Sequence, residues 1–200
     1  MTDNTLQTTE PPAPTGTARG DRVVTGLLRT FIGVAVVGWG ASFLLTAIHV
    51  WVLPLPASVD PQGPMAVITS PWAYVGPFPL ALIGAVYYLA MITAGATLLH
   101  TRATWLERAL LPITAIGVVS SAGFVYLQLG PIGEICPFCM LSAAATTLLF
   151  VIEVVNRRRG GVGTAAAVPA VRVWPATFLL TMAATLAVVW ALPQLPLPGN

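Results

Sequence analysis

The sequence predicts an all-α integral membrane protein, a four-helix core bundle with a fifth transmembrane helix beside it. Three observations carry this. Mean hydropathy is +0.82, with 56% hydrophobic and only 8% charged residues, where a soluble domain carries about 25% charged. The apolar residues gather into five runs of roughly twenty, the length at which a helix crosses the hydrocarbon of a bilayer. All nine basic side chains are arginines, and they sit only at alternate ends of those runs.

Taken in order, residues 1–22 form a tail rich in Thr, Pro and Gly, with too little apolar surface to fold, and it is expected to be disordered. The first span lies within Gly26–Leu53. It is too long for a signal-peptide core and follows a polar tail, so no cleavable signal is expected. The second span runs from about Pro79 to Leu99, the third from Ala109 to Leu129, the fourth from Cys136 to Val155 and the fifth from Val173 to Leu192. Residues 23–157 are thus the four-helix bundle. Residues 158–171, centred on Gly160–Pro169, read as a flexible linker, and 172–200 hold the fifth helix and a short tail. No internal repeat is apparent.

The arginines set the topology. Arg19, Arg22 and Arg29 precede or open the first span, Arg102 and Arg108 surround the link between the second and third, and Arg157, Arg158, Arg159 and Arg172 flank the link between the fourth and fifth. The other three exposed segments hold Asp60, Glu134 and no basic residue. Basic loops stay cytoplasmic. The expectation is a multi-pass protein of the cell (cytoplasmic) membrane, amino terminus and linker inside, carboxyl terminus outside. The loops before residue 79 and before Cys136 then face outward. Arginines placed this way serve topology, so no nucleic-acid partner is expected; membrane lipid is.

The two cysteines stand three apart, as Cys136-Pro137-Phe138-Cys139, where an outward loop enters the fourth span. Behind Gly130-Pro131-Ile132-Gly133, Cys136 is placed to cap the helix and Pro137 to occupy its first position, where a missing N–H costs little. Cys139 lies one turn deeper. First-turn amides stabilise a thiolate; Glu134 opposes this, so modest activation is expected. Three readings of the pair stay open: a redox-active dithiol, a static disulfide on an oxidising side of the membrane, or part of a metal site that would need further ligands. His49 is the only histidine at a similar depth.

Polar and small residues recur at helical spacing within the spans: Ser42, Thr46 and His49; Gly84, Tyr88, Met91 and Gly95; Thr114, Gly117, Ser121 and Gln128; Cys139, Ser142, Thr146, Leu149 and Glu153. Such stripes mark helix–helix contacts, because lipid favours close backbone packing and penalises lone polar groups. The fifth span shows only Thr177, Thr181 and Ala184, which places it at the periphery. Near the outer ends, His49 either bonds a neighbour's backbone or serves a bound carrier, and Gln128 and Tyr126 either donate to a carbonyl oxygen or fill an interface. Glu153, four residues before Arg157, is expected to form an intrahelical ion pair.

The segment Thr69-Ser70-Pro71-Trp72-Ala73-Tyr74-Val75-Gly76-Pro77-Phe78-Pro79-Leu80-Ala81-Leu82-Ile83-Gly84, followed by Tyr87-Tyr88, resembles the vitamin K epoxide reductase family and its bacterial homologues. There a Ser-Pro-aromatic-Ala half-helix in the first outer loop leads into a Gly-x-Pro-Leu-containing span, and a Cys-x-x-Cys opens the fourth core helix. The likeness covers roughly residues 25–155. It implies a quinone (menaquinone or ubiquinone) held in the bundle. Cys139 would face the quinone, and Cys136 would exchange disulfides with an extracytoplasmic thioredoxin-like thiol protein. It further implies a carrier pocket bounded by Ser70, Phe78, Gln128 and His49. The chain departs from the family pattern in three places. The loop Pro54–Phe78 lacks the second, shuttle cysteine pair, with Pro64 where its second member would stand. Ser142-Ala143-Ala144 replaces an aromatic residue after the Cys-x-x-Cys. No thioredoxin-like domain follows the fifth span before Asn200.

The function expected on these grounds is a membrane thiol–disulfide oxidoreductase coupling oxidation of that partner to quinone reduction through Cys136 and Cys139. The alternative is a non-catalytic family member acting as a membrane-complex subunit or assembly factor, which the missing shuttle favours. A reductant role, keeping exported thiols reduced for metal or haem insertion, is a third.

Overall fold

The structure, a computed structural model, describes residues 16–52, 61–162 and 167–194. The expected tail up to residue 15, Asp60, linker residues 163–166 and the tail after residue 194 lie outside the described residues. Five helices are long and apolar enough to cross a membrane. They belong to α1 (Gly16–Val52), α3 (Leu80–Thr101), α4 (Thr104–Leu127), α5 (Pro137–Arg158) and α6 (Ala170–Ala191), and α2 (Pro64–Thr69) is a short helix in the first loop. Successive long helices run in opposite directions. All the described arginines therefore gather at one end of the bundle, and the cysteine pair lies at the other.

Helix α1 is the axis, packed against α3, α5 and α6, while α4 leans on α5 and scarcely meets α3. Small residues set the approach, as the stripes predict. A Cβ on Gly95 would lie 2.9 Å from Ile32, and one on Gly38 would occupy the place of the Tyr88 ring. Leu28, Phe31, Ala35, Ala96, Leu98 and Leu149 fill the resulting core with essentially no exposure. In α6 only 6% of the most apolar stretch is buried, so it is peripheral, as its sparse stripe predicts. The helix α1 starts before the tail's expected end at residue 22, because Val24 is in the core and the Thr25 hydroxyl receives Arg102 Nη2 at 2.8 Å.

In the first loop, Gly63 takes φ +55°, a conformation that favours glycine, and starts α2 with Pro64 at its first position. A 3₁₀ turn, Pro71–Ala73, and a two-residue antiparallel ribbon, β1 (Tyr74–Val75) with β2 (Phe78–Pro79), lead into α3. This is the half-helix that the resemblance implies.

At the arginine end, Glu107 in the first turn of α4 is buried and accepts from Asn156 Nδ2 (2.9 Å) and from the Val162 amide (3.2 and 3.3 Å). The Val168 amide meets the Leu99 carbonyl at 2.9 Å. The described flanks of the expected flexible linker are therefore tied down, because they satisfy groups left over at helix ends. The expected Glu153–Arg157 ion pair does not form. The Arg157 guanidinium reaches the carbonyls of Glu107 and Arg108 instead, and Glu153 is fully buried with neither oxygen hydrogen-bonded.

Candidate functional site

The loop before α5 builds the site. After Leu127 the chain widens into a π turn over Gln128–Ile132, and Gly133 at φ +71° ends it. Cys136 then caps α5 with Pro137 at the first helical position, as the sequence predicts, and its Sγ accepts from the Cys139 amide at 3.3 Å. Both cysteines are free thiols. The hydrogen bond from the Cys139 thiol, helped by the amides of Phe138 and Cys139, holds Cys136 below the ordinary thiol range despite the opposing cost of burial.

The two sulfurs have different surroundings. Cys136 has no exposed surface and packs among Leu44, Leu45 and Ile48 of α1, Met65 and Ile68 of α2, and Leu192. The first loop therefore covers this sulfur, with α2 lying over it. The lid is fastened by the Gly63 amide, which donates to Glu134 Oε2 at 3.0 Å. Cys139 instead forms part of the wall of a cavity of about 350 Å³ between α1, α3, α4 and α5. That is the size range of small-molecule sites.

Ser70, Gln128 and His49 line this cavity with Cys139. Phe78 does not. It is 57% exposed, because the ribbon turns Phe78 outward while the adjacent Pro79 faces the cavity. Tyr126 is likewise on the outer surface. His49 meets the Tyr74 ring edge-on at 5.2 Å. Gln128 is buried and accepts from the Cys136 amide at 2.8 Å, while its Nε2 donates to the Phe124 carbonyl at 3.4 Å. It orients the cysteine turn and keeps one further N–H.

Several wall residues escaped the sequence reading. Trp72 and Tyr87 line the cavity, as do Tyr88, Ser142 and Thr146, which read there only as packing stripes. The lining is mostly aliphatic and aromatic with scattered hydroxyls, and it holds no Asp, Glu, Lys or Arg. Such a wall suits a neutral, largely apolar molecule; the Ser70 hydroxyl on it donates to the Val67 carbonyl at 2.8 Å.

The sequence profile of the vitamin K epoxide reductase family matches residues 29–154, from within α1 to the last turns of α5. The chain belongs to this family. The match contains the whole cavity, both cysteines and the lid, and leaves α6 outside. The vitamin K epoxide reductase family is one of membrane thiol oxidoreductases and is in general quinone-linked. No curated protein matches the chain.

Proposed function

We propose that this family member is a quinone-dependent thiol–disulfide oxidoreductase, oxidising an extracytoplasmic thioredoxin-like protein through Cys136 and Cys139. One observation carries the reading: one sulfur of a hydrogen-bonded pair stands on the cavity wall and its partner stands outside it, under α2. The arginine end is the cytoplasmic one by the distribution of basic residues, which turns the lid outward.

In the oxidised pair, a thiolate of the partner attacks Cys136 Sγ, the S–S bond breaks, and Cys139 leaves as thiolate. The lowered pKa of Cys136 makes it a good leaving group when the partner's second thiol resolves the mixed disulfide. Cys139 takes the proton of the partner's second thiol and Cys136 one from water; the dithiol then recloses, releasing two electrons and two protons. A quinone bound in the cavity would supply the acceptor for both. Cys139 would face that acceptor from the cavity wall, and Gln128 holds the Cys136 turn. Because α2 buries Cys136, the Glu134–Gly63 bond must open before a protein partner can reach it.

The test is a trap. With Cys139→Ala, a thioredoxin-like partner is expected to accumulate as a mixed disulfide through Cys136; trapping through Cys139 in the Cys136→Ala protein alone would reverse the assignment. The burial of Cys136 also favours a second reading, a non-catalytic subunit of a membrane complex. In that case neither variant traps a partner and added quinone leaves both thiols reduced.

A further inference from the structure

We propose that Ser142 is the hydrogen-bond donor to the carrier's carbonyl oxygen beside Cys139, held in place by Tyr88 and Thr146. This rests on the quinone reading and assigns a residue to it.

The argument is an accounting of protons. The Tyr88 hydroxyl crosses from α3 to α5 and lies 2.6 Å from the Ser142 carbonyl, 2.7 Å from Thr146 Oγ1 and 3.0 Å from Ser142 Oγ. It reaches that far because Gly38 leaves room for its ring against α1. The carbonyl can only accept, and it is the nearest partner, so it takes the Tyr88 proton. Thr146 has one proton, directed at the Tyr88 oxygen or at the same carbonyl, 3.1 Å away. Both buried hydroxyl protons are therefore used inside the cluster.

The Ser142 proton has one acceptor in the cluster, the Tyr88 oxygen at 3.0 Å, the longest of the three contacts; it alone can turn to the cavity without stranding a buried hydroxyl, because Tyr88 still donates to the carbonyl and contacts Thr146. Ser142 is half-buried and forms part of the cavity wall. It follows Cys139 by three residues, so it shares that residue's face of α5 one turn along. Its neighbour Ala143, also on the wall, has no donor. A ring seated against the Cys139 sulfur meets the Ser142 hydroxyl at its edge.

A donor fixed there before reaction stabilises the negative charge that builds on the ring oxygen as electrons leave sulfur. Ser142 contributes a hydrogen bond and gives up no atom. The two protons that accompany the electrons come from the thiols.

Infrared spectroscopy of carbonyl-labelled short-chain ubiquinone and menaquinone tests this on the full chain in nanodiscs, in a Cys136→Ala/Cys139→Ala background where no turnover occurs. One labelled carbonyl band is expected to shift down on binding, to lose that shift when Ser142→Ala is added, and to regain it with Ser142→Thr. Tyr88→Phe should weaken it. A shift that survives Ser142→Ala, or a labelled quinone that does not bind, overturns the proposal. In the cysteine-containing chain, Ser142→Ala should slow quinone reduction by about a hundredfold, and Ser142→Thr should restore most of it. Thermal unfolding of both variants should match the parent. If the band shifts as described but the thiols never reduce quinone, the assignment of Ser142 stands and the oxidoreductase reading falls.

Discussion

The two ends of the bundle solve opposite problems with similar side chains. At the arginine end, Arg102 bonds Thr25 across α3 and α1, and Glu107 takes hydrogen bonds from Asn156 and from Val162, strapping the start of the connecting segment to the bundle. At the cysteine end the hydrogen bonds surround a cavity, and the Tyr87 hydroxyl on its wall has no partner among the described residues. Gln128 and Glu134 each hold one backbone amide, and the hydroxyls around the cavity retain capacity for something else. Polar groups that bond across helices away from any cavity make a fastening; polar groups on the wall of an apolar cavity are open to a ligand.

Breaking each end in turn sharpens the contrast. The largest effect is expected at the cysteine end, where Cys139→Ala should abolish quinone-linked thiol oxidation, measured as quinol formed, while the unfolding temperature in detergent barely moves. Gln128→Leu comes next. It strands the buried Cys136 amide, a loss of about 1–3 kcal/mol, and should slow thiol oxidation by tenfold or more in the same assay. Glu107→Ala should do the reverse, lowering stability by about 2–3 kcal/mol in a denaturation series and leaving the rate per folded molecule unchanged.

Glu134→Ala unfastens the lid and should raise the alkylation rate of Cys136, read by mass spectrometry, by about tenfold. In that variant the lowered pKa of Cys136 has a sign that can be checked. Its thiolate persists to lower pH than an ordinary thiol, so the acidic fall of the alkylation rate should lie below that of a reference thiol. The smallest effect belongs to Phe78→Ala. Phe78 faces outward, and stability should change by no more than about 0.5 kcal/mol, with no change in the KM for quinone.

The five spans and the capping geometry of Cys136 and Pro137 were legible in the sequence, because bilayer thickness and helix-end chemistry are local constraints. So was the peripheral place of α6. The membership of Ser70, Gln128, His49 and Cys139 in one cavity was legible through a resemblance to a family. What was not legible depends on direction across the bundle. Phe78 and Pro79 are adjacent, yet a two-residue ribbon sends one outward and the other inward. Glu153 sits four residues from Arg157, yet that guanidinium finds two carbonyls on α4 instead. The burial of Cys136 under Met65 and Ile68 joins residues about seventy positions apart, which helical periodicity does not encode. Tyr88 and Ser142 appeared as packing stripes, and only the contact between α3 and α5 shows them as one cluster.

The most direct measurement counts thiols. Purified protein, reduced and freed of reductant, should present two alkylatable cysteines; after addition of ubiquinone or menaquinone it should present none, with one quinol formed per chain and both thiols recovered on reduction. Two thiols that stay free in the presence of quinone, or a bond that no thiol partner can reopen, would contradict the account.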